Sequence, residues 1–428
     1  MTLTERIQTD FKLYATQAEK DSFFEQRQQA FETFEKLGFP TTHNEEWKYT
    51  NMKAITAGAF ENTCIPSTKN NNYQASVFSG IKANHLVFVN GSFNKDLSVF
   101  IEPDSAIIIT NIAAARKQHA DLFNKHFGKY AHTETVALNA LNLALLSDGA
   151  FVYIPAGKKL QDPLVILNFI DSGDLNVWVQ PRNLIIVDKG ADITLVESYE
   201  SRGEHPSYIN VVSEIFVDEN AHVEHYKVQQ QTNESYHTNY TQFFQQSNTS
   251  INQVTLTLDG KMVRNNLHFY MNGTNCNDLL YGLHISEKQN LVDNHTRVDH
   301  AQPNCFSDEK YKGILKDQSV AVFNGKIMVH QDAQKTNAYQ RNQNILLSDE
   351  ASVYTKPQLE IFADDVKCTH GATIGQLDEE PMFYLRSRGI PENEARKMLL
   401  NAFADEISER IKIPELVTLL ENEIEKKL

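Results

Sequence analysis

The sequence has only four cysteines, and their spacing fits neither a metal site nor a disulfide framework. Cys64, Cys276, Cys305 and Cys368 lie far apart, with no CxxC pair among them. A zinc ribbon and a disulfide-stapled scaffold are therefore not indicated. We interpret the four residues as free thiols in a reducing compartment, where any one of them can be inert core filler.

Long apolar runs are also missing. No stretch of 18 or more apolar residues could span a membrane, and residues 1–21 are polar and mixed in charge, unlike a signal peptide. The net charge is −15, with no basic stripe of the kind that binds nucleic acid phosphates or anionic lipid. At 41% hydrophobic, the chain can still bury a substantial core. We expect a cytoplasmic protein that binds neither membrane nor nucleic acid.

The common nucleotide-binding and hydrolase motifs are absent as well. The sequence contains no GxxxxGK[ST] loop, no GxGxxG opening a helix and no GxSxG elbow. Because each of these motifs supplies the geometry its chemistry needs, nucleotide hydrolysis or dinucleotide binding would require a partner protein.

What is present divides into three regions. Residues 1–80 are predicted to form a helical domain that ends in a polar linker at 63–76. From 81 to 380 the pattern changes to short strands, interrupted by a helical interlude around 113–146. Residues 381–428 are predicted to be helical again.

The strand region carries a weak internal repeat. LIIVDKGADITLVESY aligns with EIFVDENAHVEHYKVQ at an offset of 30 residues, so that Val187 matches Val217 and Ala191 matches Ala221. Asp, Asn and Gly occupy the turns, because they tolerate left-handed backbone geometry. Such strands allow a sandwich, an up-and-down barrel or a β-helix. The recurrence favours a mainly β fold with a parallel β-helix core, whose open ends the terminal helices would cap.

An apolar stripe near the C-terminus predicts a helix with one buried face. Pro391 and Pro414 each suit a first helical turn, so two helices are expected there. Intramolecular packing is the favoured interpretation of the stripe, and a docking surface is the alternative. Its members are Ala395, Met398, Leu399, Ala402, Phe403, Ile407 and Ile411.

The sharpest chemical clue lies in residues 356–390, which read as two strands followed by a helix. In the second strand Cys368 and His370 share one apolar, inward face with Ala372 and Ile374. Same-face neighbours lie roughly 6.6 Å apart at the backbone, which suits bracketing a cluster or adding a ligand to a partner's set. Thiolate and imidazole are ligands of iron–sulfur centres and zinc. The alternative is a buried cysteine beside a hydrogen-bonded core histidine.

A second candidate cluster comprises His295, His300 and Cys305. Because five residues separate the two histidines, a continuous strand would point them to opposite faces, and joint ligation would need a turn between them. A structural role is therefore the favoured interpretation.

The sequence HVEH, with His222, Glu224 and His225, resembles a metal pair only loosely. The HExxH motif is absent, and on a strand His222 and Glu224 share a face that His225 does not. A structural role is favoured here too.

The C-terminal signature closely resembles the SufD branch of the SufB/SufD family of iron–sulfur cluster assembly proteins. It consists of CTHGATIG from Cys368 and FYLRSRGI from Phe383. The resemblance covers nearly the whole chain. Other stretches that carry it are HxxEWKYT at 43–50, KGIL at 312–315, GKI at 325–327 and KPxLEI at 356–361.

The resemblance implies a right-handed parallel β-helix flanked by N-terminal and C-terminal α-helical segments. It also implies a non-catalytic subunit that pairs with a SufB-like scaffold and carries a SufC-like ATPase on its C-terminal region. In isolation such a chain can form a homodimer. The residues expected to contact partners are Phe383, Tyr384, Arg386, Arg388, Met398 and Phe403.

By the same resemblance, Cys368 and His370 would lie near the junction with the scaffold. No stably bound cofactor is expected, only a transient iron or iron–sulfur cluster at the interface, with His370 the residue best suited to build or hold it. SufB-type chains usually have Glu after this histidine, whereas this sequence has Gly371. That difference favours SufD and leaves the principal ligands on the partner.

Two other functions stay open. A β-helix carbohydrate lyase or hydrolase would need convergent carboxylates in an exposed groove. Asp188, Asp218 and Asp349 recur, but at turn positions where Asp is ordinary. A purely structural partner, in which Cys368 and His370 are inert, is the third hypothesis.

Overall fold

The chain folds into a β-solenoid of about eight turns with helices at both termini. The computed structural model describes residues 1–20, 22–62, 77–101 and 104–427. The predicted mainly β fold, with a parallel β-helix between helical segments, is confirmed. The linker predicted at 63–76, which contains Cys64, lies outside the described residues.

The strands follow one another with short turns. In chain order they are β1 (Glu61–Asn62), β2 (Asn84–Val89), β3 (Ser92–Phe93), β4 (Ile108–Asn111), β5 (Ala150–Ile154), β6 (Leu164–Asp171), β7 (Val177–Val179), β8 (Arg182–Val187), β9 (Asp192–Arg202), β10 (Ser207–Val217), β11 (His222–Gln230), β12 (Ser235–Gln245), β13 (Ser250–Asp259), β14 (Met262–Met271), β15 (Asn277–Ser286), β16 (Leu291–His300), β17 (Phe306–Leu315), β18 (Val320–Val329), β19 (Thr336–Leu346), β20 (Ser352–Ile361) and β21 (Val366–Gly375).

Two sheets form the walls of the solenoid. The first sheet runs in the order β20-β18-β16-β14-β12-β10-β8-β5-β4, with β1 and β7 at its side, and the second runs β21-β19-β17-β15-β13-β11-β9-β6-β2-β3. From β5 and β6 onward the pairings are parallel, and from β8 and β9 onward each strand pairs with the next but one in sequence, as a solenoid requires. β20 and β21 end their sheets, so no strand in the described part of the chain lies on the far side of the last rung.

The 30-residue repeat is one rung of the solenoid. Val187 pairs with Val217 in the first sheet, and Ile193 pairs with Val223 in the second. One corner repeats a residue in the left-handed backbone region, where Asn and Gly are tolerated best. This corner column contains Gly190, Asn220, Asn248, Asn275, Asn304 and Lys335.

The N-terminal helices cover the outer face of the first sheet. Phe11, Phe23 and Phe31 pack there with Phe151 and Trp178 of the early rungs. Those helices are α1 (Leu3–Gln17), α2 (Ser22–Leu37), α3 (Lys53–Ala57), α4 (Ile112–Gln118), α5 (Ala120–His126) and α6 (Ala137–Ala144). In the part of the chain that is described, no helix is long and apolar enough to cross a membrane.

Arg27 lies within the buried face of α2, although by sequence it interrupts the apolar stripe. Its guanidinium donates hydrogen bonds to the backbone oxygens of Ala144 and Leu146, at 2.9 and 3.2 Å, and lies 3.8 Å from the ring centre of Tyr14. A buried charge is tolerated where such partners replace water. Arg27 therefore ties α2 to the end of α6.

The C-terminal helices lie along the side of the solenoid rather than across its end. They are α7 (Glu379–Ser387), α8 (Glu392–Ser408) and α9 (Pro414–Lys427). Leu400 and Leu416 pack with Val228, Leu256 and Leu283, which point outward from the second sheet. The expectation that the terminal helices cap both open ends is thus wrong for the end formed by β20 and β21.

The buried face of α8 is rotated about the helix axis relative to the predicted stripe. Ala395 and Ile407 are buried as expected, but Met398 is 49% exposed, whereas Leu400 and Ala404 are buried in its place. Two adjacent faces of α8 are both apolar, so helical spacing alone does not identify the buried one. The face that contains Leu400 and Ala404 packs against the solenoid.

Candidate open-end site

The last rung of the solenoid presents an open apolar edge. Among the described strands, β20 pairs with β18 alone and β21 with β19 alone, so one edge of each has no sheet partner there. Tyr354, Ile361, Phe362 and Ile374 are 43, 39, 63 and 46% exposed on or beside this rung. Unpaired strand edges and exposed apolar side chains are features of a surface that pairs with another chain.

Cys368 and His370 lie on this last rung. Cys368 pairs with Ala338 of β19, and His370 pairs with Gln340. Ala338 and Gln340 are fully buried, so both positions on β21 continue a column that points into the core. The predicted sharing of one face by Cys368, His370 and Ile374 is confirmed.

The burial expected for His370 is wrong. Cys368 is half-buried against the apolar cluster around Ile327 and Ala338, but His370 and Ala372 are exposed. The reason is the absence of a following rung, which would otherwise cover the inward-pointing side chains. Burial raises the pKa of the Cys368 thiol, so the thiol is less ready than a free cysteine to act as thiolate.

After β21 in sequence, the family signature from Phe383 is exposed on α7 and just beyond its end. Phe383 and Tyr384 are 73 and 56% exposed, Arg386 is exposed, and the Arg388 guanidinium lies 5.2 Å from the ring centre of Tyr384. Met398 is also exposed. We name Phe383, Tyr384, Arg386, Arg388 and Met398 the helical patch.

Phe403 differs from the residues of the helical patch. It is half-buried against the outer face of the second sheet, and its backbone oxygen accepts a hydrogen bond of 2.8 Å from the Lys312 ammonium group. The same ammonium nitrogen lies 4.4 Å from the centre of the Phe403 ring. These contacts anchor α8 to the KGIL stretch of β17.

The HxxEWKYT stretch straps the helical region to the solenoid. The Arg264 guanidinium lies 3.9 Å from the Trp47 ring centre, and Tyr49 stacks on Tyr354 of the last rung at 4.1 Å between ring centres. Residues 45–50, which we name the strap, therefore reach from the middle rungs to the open end. The sequence alone linked this stretch to the family but not to the terminal strand.

The second candidate cluster does not come together. β16 is continuous, so His295 points outward and binds the Glu46 carboxylate at 3.2 Å, whereas His300 points inward and bonds Ser307 at 2.9 Å. The His295 hydrogen bond lowers the pKa of Glu46 to about 2, and burial lowers the pKa of His300 to about 3. The structural interpretation fits these contacts.

Cys305 instead stacks on Cys276 of the preceding rung. The two buried thiols donate to the same carbonyl oxygen, that of Gly273, at 3.4 and 3.3 Å respectively. Among the residues described, no group of three or more His, Cys, Asp or Glu side chains is arranged to hold a metal ion. Cys368 and His370 can thus contribute at most part of a ligand set.

The HVEH residues divide between two faces as the strand pattern predicts. His222 bonds Glu224 at 2.9 Å on the outer face, whereas His225 lies inside, 3.3 Å from the Glu197 carboxylate. Each histidine already has an acidic partner, and the two do not share a site.

The recurring aspartates do not form a hydrolytic groove. Asp188 and Asp218 each accept a hydrogen bond of 2.8 Å from the next backbone N–H, which closes the turns of adjacent rungs. Asp349 lies in a turn near the other end and accepts from Gln376 at 3.4 Å. Asp188 and Asp218 shape neighbouring turns and Asp349 shapes a distant one, so the three carboxylates do not line one groove.

A lateral cavity of about 580 Å³ lies between the strap and the outer face of the first sheet. Its arginines are neutralised by neighbours: Arg264 binds Asp293 at 2.5 Å, and Arg297 binds Asp299 at 2.6 Å. The paired charges leave no obvious attraction for an ionic ligand, so the open end is the stronger candidate site.

Comparison with known proteins agrees with this geometry. The family model "SUF system FeS cluster assembly, SufBD core domain" matches residues 169–403, and the "SufBD protein N-terminal region" model matches residues 8–166. This chain belongs to the SufB/SufD family. The first match spans the solenoid from β6 to α8 and includes the whole open end.

Individual relatives place the chain in the SufD-like branch. An iron–sulfur cluster assembly SufBD family protein of Synechocystis is 33% identical over 404 residues, covering 91% of this chain and 88% of that protein. The iron–sulfur cluster assembly protein SufD of Escherichia coli is 30% identical over 390 residues, covering 90 and 89%. A SufBD family protein of Staphylococcus saprophyticus is 27% identical, covering 72 and 66%. The chain is thus a SufD-like iron–sulfur cluster assembly protein.

Proposed function

We propose that this chain is the non-catalytic SufD-like subunit of a cytoplasmic assembly complex, in which its last rung pairs with a SufB-like scaffold. The observation that carries the proposal is that His370 is exposed on β21, a strand with one unpaired edge. A partner strand added there would lie beside the imidazole. The cluster under construction, which is the cargo rather than a resident cofactor, would then form at the seam between the subunits.

The ligand chemistry assigns unequal roles to the two residues. The exposed His370 imidazole offers a ring nitrogen that suits iron. The half-buried Cys368 thiol must first lose a proton, and burial raises its pKa. His370 is therefore the contributed ligand, and Cys368 supports it by packing. The remaining ligands come from the SufB-like partner, and without that partner the same edge can pair with a second copy of the chain.

The helical patch is the proposed seat of a SufC-like ATPase. Exposed aromatic side chains flanked by arginines are typical of binding hot spots. The patch follows β21 directly in sequence, so movement of a bound ATPase can be passed to the seam through α7. Phe403, which is half-buried, would contribute by holding α8 in place rather than by direct contact.

Replacement of His370 tests the proposal. We expect His370→Ala to leave the fold and the complex intact, because the imidazole is exposed, but to lower the maturation of iron–sulfur enzymes at least tenfold in a strain that depends on this chain. His132→Ala, which removes an exposed imidazole elsewhere, serves as the matched control. Wild-type maturation by the His370 variant would leave only the purely structural role.

A further inference from the structure

An inward-pointing column of polar side chains ends at His370. Glu309 of β17 pairs with Gln340 of β19, and Gln340 pairs with His370 of β21. Parallel strands place paired residues about 4.8 Å apart with side chains pointing the same way. Glu309 and Gln340 are fully buried, and only the last member of the column reaches solvent.

The amide of Gln340 is held at one end and unsatisfied at the other. Its Nε2 donates a hydrogen bond of 2.8 Å to Glu309 Oε2. Its Oε1 is buried and has no hydrogen-bond partner within the described chain. A buried polar atom without a hydrogen-bond partner is unfavourable, so a donor that approaches from the next rung would be favoured.

The opposite wall is shaped around this amide. A Cβ atom at Gly325 of β18 would lie only 2.4 Å from Gln340 Nε2, so the amide fills the space that a side chain would otherwise take. Gly325 belongs to the GKI stretch that the sequence analysis linked to the family. In the last rung, Pro357 pairs with Gly325 and His370 pairs with Gln340. His370 is therefore the residue of the last rung that lies beside the Gln340 amide.

We propose that Gln340 is a positioning residue for His370: the imidazole, which does not bond Oε1 in the arrangement seen here, turns inward to donate one N–H to that oxygen, so that the other ring nitrogen is unprotonated and directed to the seam. A neutral imidazole has one donor and one acceptor nitrogen, and a partner on the donor fixes the tautomer. Histidines that bind metals generally have such a second partner. The inference rests on the proposed function of His370 as a ligand.

The tautomer of His370 is the decisive readout. In the full-length chain labelled with ¹⁵N-histidine, the His370 ring signals are assigned by their loss in His370→Ala. We expect one dominant tautomer in the wild type and a mixture in Gln340→Met, which keeps the length of the side chain but removes the amide. Gly325→Ala should give the same mixture, because the added methyl group displaces the amide without altering Gln340.

The two variants that lose the dominant His370 tautomer, Gln340→Met and Gly325→Ala, should also assemble fewer clusters in cells. Loss of a partner to a metal-binding histidine typically costs 10–100-fold, and we expect a decrease of that size in both variants. Gln343→Met is the matched control, because Gln343 lies on the same strand but points outward and pairs with Thr373. It should change neither the tautomer nor the assembly.

The outcomes separate this inference from the proposed function. An unchanged tautomer in both Gln340→Met and Gly325→Ala would overturn the positioning role, even if His370→Ala abolished assembly and so supported the function. A mixed tautomer with normal assembly would overturn it as well. Normal assembly by His370→Ala would instead refute the proposed function, on which the inference depends.

Discussion

At the scale of single residues, the pKa of one buried carboxyl group near the open end is shifted by its surroundings. Burial raises the pKa of Glu309 to about 7, although Thr296 and Gln340 lie close enough to stabilise its anion. The carboxyl group of Glu309 therefore changes charge near neutral pH inside the solenoid. Glu309 lies two strands away from His370 in the second sheet, with Gln340 between them.

This burial makes the stability of the protein depend on pH. Because the folded chain keeps the Glu309 proton up to about pH 7 while the unfolded chain releases it near 4.5, the free energy of unfolding should fall as pH rises through that range. The contribution of this one group is up to about 3 kcal/mol. Glu309→Gln should remove that part of the decline.

Urea unfolding at pH 5 and pH 8 measures the effect. The difference in unfolding free energy between the two pH values should be smaller for Glu309→Gln than for the wild type. Glu421→Gln, at an exposed position on α9, should keep the wild-type difference. An equal pH dependence in all three proteins would show that Glu309 is not a proton-binding site of the folded state.

Among the larger elements, α7 is short and exposes most of its apolar surface. It buries only Met382, while Phe383 and Tyr384 face solvent. We expect the double variant Phe383→Ala/Tyr384→Ala to raise the Kd for a SufC-like ATPase roughly 30-fold or more, since an aromatic anchor is typically worth at least about 2 kcal/mol.

Isothermal titration with the purified ATPase measures that Kd. Leu13→Ala removes an exposed apolar side chain from α1 and should leave the Kd unchanged. If the double variant binds as tightly as the wild type, the helical patch is not the ATPase site.

The strands could be predicted from sequence because each rung repeats local chemistry. Val187 and Val217 recur at the same point of the rung, and Asn220 and Asn248 mark a left-handed corner. A helix stripe carries less information, since periodicity identifies an apolar face but not the surface it covers. The predicted stripe therefore included Met398, which is exposed, and omitted Leu400, which is buried.

The site could be predicted only in part, for a related reason. The alternation of β21 placed Cys368 and His370 on one face, but whether a further rung covers that face depends on where the stack stops. The role inferred for Gln340 was out of reach, because the register that sets it beneath His370 joins residues 30 positions apart. The burial of Arg27 could not be inferred from sequence, because one of its hydrogen-bond acceptors belongs to a distant helix.

At the scale of the whole molecule, the solenoid is covered along both sides and open at one end. The N-terminal helices cover the first sheet, and α8 and α9 cover the second. The strap at residues 45–50 contacts the last rung, and the helical patch follows β21 in sequence. This arrangement directs association to β20 and β21, where exposed apolar side chains and unpaired backbone groups occur together.

Hydrogen–deuterium exchange of the full chain, alone and with a SufB-like partner, tests this most directly. We predict that backbone amides in β20 and β21 become protected when the partner is added, because new strand pairing occupies their free edge, while β11 and β13 in the middle of the second sheet exchange as before. Unchanged exchange in both terminal strands of the assembled complex would contradict pairing at the open end.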